Sequence, residues 1–406
     1  MNETVAGRAS SELVYDPYSY EMHEDPYPTY ARLRAEAPLY RNDDREFWAL
    51  SRHADVIMAF RDSAHFSSAN GVTLDPSATG PAARATTSFL AMDPPDHGRM
   101  RGLVSRGFTP KRVADLEPRI RVIAQNHLDA ALAQGSGFDF VADFAGKLPM
   151  DVISELVGVP AADRDEVRRL ADLVLHREQG VFDVPPAGVE AALALIAYYQ
   201  EMLADRRRKR TDDLTSALLD AELDGDRLAD DEIIAFLFLL VVAGNETTTK
   251  LLGNAWYWAW RHPQQRRRAL DDPAAVSQWV KETLRYDAST QLLARTATTD
   301  IQLHGGRIEA GDRVVLLVGS ANRDERVFPN PEQYDLLRDT ANLVSFGFGR
   351  HFCLGASLAR LESTVALAEV RSRVSDYDID VDRAERVHSI NVRGFASLPT
   401  TVVARS

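Results

Sequence analysis

The chain has 406 residues, of which 45% are hydrophobic and 26% charged, an ordinary composition for a globular protein with a large core. A formal net charge of -13 argues against a nucleic-acid binder, and the basic run at 206–210 is better explained as a solvated helix end than as a nucleic-acid patch. The single cysteine excludes an intramolecular disulfide and fits a reducing compartment.

A secretory signal is not expected in the N-terminal part of the chain, because its polar start lacks an apolar core. Flexibility is expected only at the ends, chiefly over residues 1–20. A helix is predicted at 29–36, followed by two short strands at 39–40 and 47–50 around a turn. Residues 67–90 are rich in Gly, Ser, Ala, Thr and Pro, which predicts a long loop of the kind that is often functional.

Helical signals dominate from 96 to about 221, broken at glycine and proline clusters near 135, 158 and 185. A long helix then begins near Asp230, where three acidic residues suit the helix dipole. It ends near His262, because Pro263 disfavours helix at the residue before it. At 1.5 Å per residue this helix spans roughly 45 Å.

The longest apolar run, residues 233–243, lies inside that helix and is shorter than the roughly 20 residues of a membrane span. It is therefore interpreted as a buried helix core, and a soluble, cytoplasmic protein without membrane insertion is expected. Further elements are predicted as a helix at 277–286, sheet at 296–318, a helix at 355–373 and a C-terminal strand. The sequence predicts a mainly α protein with small β-sheets, in one domain over 1–406.

The most informative segment surrounds the only cysteine, where residues 346–355 read FGFGRHFCLG. The glycines before Cys353, including Gly347, permit a tight turn that can aim backbone N–H groups at a thiolate. The helix that starts after Cys353 favours the same charge, and Phe346 can shield the sulfur from water. Gly355 would let that helix approach a flat ligand closely. A lone cysteine is usually a small buried hydrophobe, and a nucleophile remains an alternative, whereas zinc would need more ligands.

This segment resembles the heme-binding loop of the cytochrome P450 family, Phe-Gly-x-Gly-x-(His/Arg)-x-Cys-x-Gly, and matches every fixed position. The resemblance implies the cytochrome P450 fold, a triangular-prism domain, and heme b as the cofactor. It implies that Cys353 is the proximal iron ligand and that His351 contacts a heme propionate. Thiolate ligation pushes electron density toward the iron and favours O–O cleavage.

The long helix carries a second signal in Ala243, Gly244, Glu246 and Thr247. The Thr247 hydroxyl can bond the Ala243 carbonyl and loosen the helix, leaving a groove for a diatomic ligand. Glu246 could carry protons beside it by general acid catalysis. The alternative is a Thr-rich helix that packs against a neighbour, with Glu246 in solvent. The segment resembles the family's oxygen-activation motif, which implies that Glu246 and Thr247 are catalytic.

Two further features gain meaning from the resemblance. Glu282 and Arg285 share one helix face, which by default is a surface ion pair but here resembles the family's Glu-x-x-Arg motif that buttresses the heme loop. The buried propionates of heme need cationic partners. The resemblance assigns these by position to His97, Arg101, Arg295 and His351.

The predicted pocket walls are mostly apolar, which favours a lipophilic substrate. They could equally be plain core. The residues assigned to them are Phe89, Leu90, Leu239, Leu240, Ala243, Leu292, Leu293 and Val392. The segments 67–90 and 175–190 are expected to gate the pocket. The resemblance extends to soluble bacterial members that act on terpenes, fatty acids, steroids and macrolides, which suggests natural product metabolism.

No flavin segment is present, and one cysteine cannot hold a fused cysteine-ligated cluster. By family analogy, electrons come from a ferredoxin and its NAD(P)H-dependent reductase, and Arg350, Lys111 and Arg112 are candidates to meet an acidic ferredoxin. A monomeric monooxygenase that hydroxylates or epoxidises its substrate with O2 is expected. The alternatives are a peroxygenase, a rearranging or dehydrating heme-thiolate enzyme, and a non-catalytic heme-binding partner protein.

Overall fold

The computed structural model describes residues 13–178, 180–223 and 225–405. Most of these residues are helical. The α-helices are α1 (Tyr20–Glu24), α2 (Tyr27–Glu36), α3 (His53–Arg61), α4 (Ala83–Thr87), α5 (Asp96–Val104), α6 (Pro110–Asp115), α7 (Glu117–Leu132), α8 (Lys147–Val157), α9 (Arg164–Leu175), α10 (Pro186–Arg208), α11 (Leu214–Asp220), α12 (Asp230–Arg261), α13 (Pro263–Asp271), α14 (Val276–Tyr286), α15 (Val318–Ala321) and α16 (Ala356–Arg373).

The strands are short and are distributed along the sequence. They are β1 (Leu39–Asn42), β2 (Phe47–Leu50), β3 (Phe66–Ser67), β4 (Gly137–Asp139), β5 (Glu222–Leu223), β6 (Asp226–Arg227), β7 (Leu292–Ala297), β8 (Ile301–Leu303), β9 (Gly306–Ile308), β10 (Arg313–Leu317), β11 (Val374–Ile379), β12 (Glu385–Arg386), β13 (Phe395–Ser397) and β14 (Pro399–Ala404). The prediction of a mainly α fold with small sheets is confirmed.

The largest sheet has five strands in the order β1-β2-β10-β7-β3. Its only parallel pair among the described strands joins β2 to β10, so a chain segment of more than 260 residues lies between two neighbouring strands. The second sheet has the order β11-β14-β4, which brings the C-terminus against the segment after α7.

Helix α12 runs through the middle of the helical body, packed by α8, α9, α10, α14 and α16. Its predicted start and end are confirmed, with Glu232 accepting the Ala229 N–H at 2.9 Å and Pro263 opening the next helix. By length and composition alone it could cross a membrane, but 67% of its most apolar window is buried inside the protein. It is the core helix of the fold, as its apolar run predicts.

Two expectations about irregular segments need correction. Residues 1–12 lie outside the described residues, but Tyr15 and Tyr18 are buried, so the chain from 13 onward is packed rather than flexible. The predicted loop 67–90 contains α4 and single helical turns, and Ala83 and Phe89 are buried against the body. Burial of a few apolar side chains orders a segment whose composition is otherwise typical of a loop.

Candidate active site

A cavity of about 640 Å³ lies between α12 and the cysteine loop. Cys353, Gly355 and the first turns of α16 form its floor, and the 236–248 part of α12 forms one wall. The described residues of segments 72–90 and 174–196 close the far side, called the roof below. Most of the lining is aliphatic or aromatic, as expected for a site that binds a lipophilic ligand.

The cysteine loop is held by backbone geometry that only glycine adopts easily. Gly347 and Gly349 have φ of 68° and 66°, in the left-handed region. A Cβ on Gly349 would stand 3.1 Å from the Phe60 carbonyl oxygen, so the loop rests closely on α3. The Cys353 N–H donates to the Phe346 carbonyl at 2.8 Å, which closes the turn before α16.

Some features around the Cys353 sulfur disfavour a negative charge on it, and others stabilise that charge. Burial raises the pKa of the Cys353 thiol, while N–H groups of Gly355 and Ala356 and the guanidiniums of Arg101 and Arg360 lower it. Backbone N–H groups thus point at the sulfur, but they belong to Gly355 and Ala356 at the start of α16 and not to the glycine turn before Cys353. A positive ligand such as a metal ion would complete the stabilisation of a thiolate here.

A cluster of basic side chains lies beside the floor. The rings of His97 and His351 are 4.2 Å apart, and burial and neighbouring cations lower the pKa of His97 to about 4 and that of His351 to about 2. Arg295 is buried as well, and Arg101 donates to the Phe352 carbonyl at 2.6 Å. His97 Nε2, Arg101 Nη1 and His351 Nδ1 are buried without hydrogen-bond partners.

These features fit a heme. Buried cations and unpaired donors in one cluster require an anionic partner, which two propionates would supply. A Cβ on Gly355 would meet nothing within 4 Å, so this glycine leaves open space above the start of α16, where a flat ring could lie close to the backbone. The donor set around Cys353 is otherwise poor in metal ligands: no group of three His, Cys, Asp or Glu residues suited to a metal ion occurs in the described ranges.

The wall formed by α12 includes the predicted residues Leu239, Leu240, Ala243, Gly244 and Thr247. Phe236 lines the cavity beside them. Thr247 Oγ1 donates to the Ala243 carbonyl at 2.8 Å, as expected. The helix nevertheless remains α-helical throughout Asp230–Arg261, so any groove here comes from small side chains rather than from a break.

Glu246 points away from the cavity. Its carboxylate contacts Lys250 Nζ at 2.9 Å, one turn along α12, and hydrogen-bonds the carboxyl of Asp172 on α9. Burial favours the neutral acid, but the Lys250 ammonium and this hydrogen bond dominate and lower the pKa of Glu246. Burial and the charge of Glu246 raise the pKa of Asp172 to about 8, although part of Asp172 is exposed. The solvated position that the sequence left open for Glu246 is excluded.

All but one of the residues assigned to the pocket walls line the cavity. Those that line the cavity are Phe89, Leu90, Leu239, Leu240, Ala243, Leu293 and Val392. Leu292 is not among them, because neighbouring residues of β7 face opposite sides of the sheet. It packs with Tyr27 and Phe47 in a separate cluster.

Glu282 and Arg285 form a buried bidentate pair, with distances of 2.7 and 2.9 Å. Arg285 also donates to the carbonyls of Asn322, Pro331 and Gln333, which fixes the meandering segment before the cysteine loop. Glu282 accepts the N–H of Asp335 at 3.0 Å. The pair is thus hydrogen-bonded on both sides, and a surface position is excluded.

Several polar residues of the site were not found from the sequence. Asp75 and Arg177 line the roof, and Glu362 on α16 lines the floor, where it is hydrogen-bonded to Thr248. Lys250 could have been found, because its i,i+4 spacing from Glu246 is a recognised ion-pair pattern. The others come together only through folding, so no local pattern marks them.

Comparisons with known proteins agree over nearly the whole chain. The family model described as Cytochrome P450 matches residues 274–401. A putative cytochrome P450 123 of Mycobacterium tuberculosis is 59% identical over 395 residues, covering 97% of this chain and 98% of that protein. A vitamin D(3) 25-hydroxylase of Pseudonocardia autotrophica is 38% identical, covering 97% of each. The structure of cytochrome P450 CYP109Q5 from Chondromyces apiculatus superposes with a TM-score of 0.88 at 35% identity, covering 97% of this chain and 99% of that one.

Proposed function

The chain belongs to the cytochrome P450 family of heme-b monooxygenases, and from that premise we propose that it inserts one oxygen atom of O2 into a lipophilic small molecule. The observation that carries the proposal is the cavity, which places Cys353 on the floor of an apolar chamber walled by α12. The outcome is a hydroxylation or an epoxidation. A relative named vitamin D(3) 25-hydroxylase supports the first.

Heme bound at the floor supplies the iron that activates O2. Cys353 Sγ is the proposed iron ligand, and the N–H groups of Gly355 and Ala356 support its negative charge. His97, Arg101, Arg295 and His351 would hold the heme propionates. Phe346 shields the sulfur side, where Arg360 stacks over its ring at 4.3 Å. Glu282 and Arg285 have a structural role, because they fix the segment that leads into the cysteine loop.

Thr247 and Glu246 are the proposed proton-handling residues. Thr247 Oγ1 faces the cavity and can turn from the Ala243 carbonyl to donate a hydrogen bond inward. Glu246 holds a proton-accepting carboxylate one residue away, linked to solvent through Asp172. In this proposal the proton path runs from Asp172 to Glu246 and then to the vicinity of Thr247, with Glu246 releasing Lys250 as it turns.

Further proposals concern the electron donor, the location and the oligomeric state of the enzyme. We assign the electron supply to a ferredoxin and its NAD(P)H-dependent reductase, met by Arg350, Lys111 and Arg112. All three are exposed, and α6, which carries two of them, packs against α16. A cytoplasmic, monomeric protein formed by one domain over residues 1–406, active in natural product metabolism, completes the proposal.

The test is turnover of a lipophilic library by the heme-loaded protein with ferredoxin, reductase and NAD(P)H. Candidates are selected by the low-to-high-spin shift that they cause. Oxygen-dependent product is the expected result. Product formed only with added hydrogen peroxide would indicate a peroxygenase and would overturn the proposed electron supply.

Spectroscopy tests the ligand assignment separately. Replacement of Cys353 by serine is expected to abolish the strongly red-shifted band of the ferrous carbon monoxide complex. Serine keeps the size of the side chain but is a poor ligand compared with a thiolate. A band unchanged in the variant would refute Cys353 as the ligand.

A further inference from the structure

The ionisable groups of the cavity wall are unusually few and are unevenly placed. Among the described lining residues they are Asp75, Arg177, His351, Cys353 and Glu362. The last three belong to the floor. Burial raises the pKa of Glu362 well above its usual value and so favours its neutral form. At the roof, Asp75 and Arg177 are the only ionisable groups among the described lining residues.

These two residues form a bidentate ion pair across the roof. Arg177 Nε and Nη2 donate to the two carboxylate oxygens of Asp75 at 3.0 and 2.7 Å. Their side chains are 7% and 1% exposed. Such planar pairing is the strongest geometry available to an arginine and a carboxylate.

Each partner is also held by its own segment. Arg177 Nη1 donates to the carbonyls of Val174 and His176 at 3.0 and 2.8 Å, at the end of α9. Thr73 Oγ1 donates to Asp75 at 2.6 Å. Four of the five N–H groups of Arg177 are thus used within the protein. The pair is neutral as a whole and offers little to a ligand.

We propose that Asp75 determines substrate charge by masking Arg177, so that the cavity admits neutral lipophilic molecules and rejects those that carry a carboxylate. This inference rests on the proposed monooxygenase function and names its substrate class. A carboxylate that enters would lose its hydration among apolar side chains. Arg177, the one cation among the described lining residues of the roof, is already paired. A neutral group on the same carbon skeleton avoids that cost.

Loss of the negative charge on Asp75 should unmask Arg177. Replacing Asp75 with Asn keeps the size of the side chain and an oxygen that can accept from Arg177, but removes the negative charge. Arg177 then stands as an uncompensated buried cation, which is costly until an anion binds. The variant should therefore acquire affinity for carboxylates that the natural protein lacks.

The experiment uses the heme-loaded protein and two probes, 11-(imidazol-1-yl)undecanoic acid and its methyl ester. The imidazole end binds the heme iron and shifts the Soret band, which reports binding, while the chain extends toward the roof. In the natural protein we expect the ester to bind at least about tenfold tighter than the acid at neutral pH. In Asp75→Asn this preference should fall by about tenfold or more, or invert.

A matched double variant, Asp75→Asn with Arg177→Gln, removes the cation as well. It should lose the new affinity for the acid. A roof that is merely loosened would change the affinity for both probes alike, so the ratio of the two dissociation constants isolates the charge effect. An acid that binds the natural protein as tightly as the ester, or a ratio unchanged in Asp75→Asn, would overturn the inference. Absence of any Soret shift with free imidazole would count against heme binding instead.

Discussion

The Thr247 hydroxyl is already committed to the Ala243 carbonyl, so its contribution to proton handling depends on an exchange of partners. Replacing Thr247 with Ala removes the hydroxyl, and we expect the fraction of NAD(P)H that yields product to fall strongly, because a positioned general acid–base group contributes roughly 10²–10⁴-fold to a rate. The measurement is product formed per NAD(P)H consumed. Thr247→Ser keeps the hydroxyl and is the control. Equal coupling in Thr247→Ala and the natural protein would contradict the role.

The carboxyl groups of Asp172 and Glu246 should make coupling, the product formed per NAD(P)H consumed, depend on pH. Because the pKa of Asp172 is about 8, this carboxyl holds a proton below that pH and loses it above. We expect coupling to fall as pH rises through about 8, because an ionised Asp172 can no longer pass a proton to Glu246. Arg168 and Lys250 are the cations that face the pair.

Asp172→Asn provides the check, since an amide does not titrate. Coupling should be low at every pH in this variant, without the step near pH 8. The profile is compared with that of the natural protein over roughly pH 6.5 to 9.5, using the same substrate. A step of the same size and midpoint in both proteins would show that another group titrates.

Single residues also show where sequence reasoning is strong and where it stops. The glycines and Cys353 could be assigned because the turn constrains consecutive residues, and the structure gives Gly347 and Gly349 the positive φ that this requires. The direction of Glu246 could not be predicted. Its partners are Lys250, which is local, and Asp172, which lies on another helix and is brought near only by packing.

At the scale of elements, the Glu282–Arg285 pair joins α14 to the segment that leads into the cysteine loop. Glu282→Ala leaves Arg285 buried without its carboxylate, and we expect the free energy of unfolding to fall by about 3–5 kcal/mol. Chemical denaturation of the heme-loaded variant measures this. Heme content after purification should fall as well, because the loop loses its support.

The chain offers a matched control for this effect. Glu166 and Arg169 on α9 form a bidentate pair of the same i,i+3 spacing, at 2.6 and 2.7 Å, but their side chains are 59% and 58% exposed. Glu166→Ala should change the free energy of unfolding far less than Glu282→Ala does, because solvent screens an exposed ion pair. A comparable loss in both variants would mean that burial is not what makes Glu282 important.

Elements with strong periodicity or clear end signals were predicted with ends close to those observed. Helix α12 is the best case, since acidic residues open it and Pro263 follows it. The prediction for segment 67–90 agrees least with the structure. Its short helices depend on the burial of Ala83 and Phe89, and its position depends on contacts such as that of Asp75 with Arg177, more than one hundred positions later. Such contacts leave no trace in local composition.

At the scale of the whole molecule, a negative chain must meet an electron donor that is itself acidic in this proposal. Local positive charge near the floor would then be needed. We expect Lys111→Glu and Arg112→Glu to slow ferredoxin-supported turnover by about tenfold at low salt, and less at high salt where charges are screened. The spin shift caused by substrate should be unaffected.

Arg208→Glu serves as the control for this surface. Arg208 is 74% exposed at the end of α10, a helix that packs against α9 and α12 rather than α16. Arg208→Glu changes the charge by the same amount as Lys111→Glu and Arg112→Glu, but away from the floor. If all three variants slow turnover equally, the effect comes from net charge and the proposed contact face is wrong.

The division of the cavity between separate stretches of chain has an evolutionary consequence. The stretches 72–90 and 174–196 form the roof, whereas the cysteine loop and the Thr247 turn of α12 lie below. Mutations can therefore accumulate in one group while selection preserves the other. Related proteins can therefore change their substrate specificity while they keep the same reaction chemistry. Libraries randomised only in these two roof segments should give variants with new substrate selectivity that still bind heme.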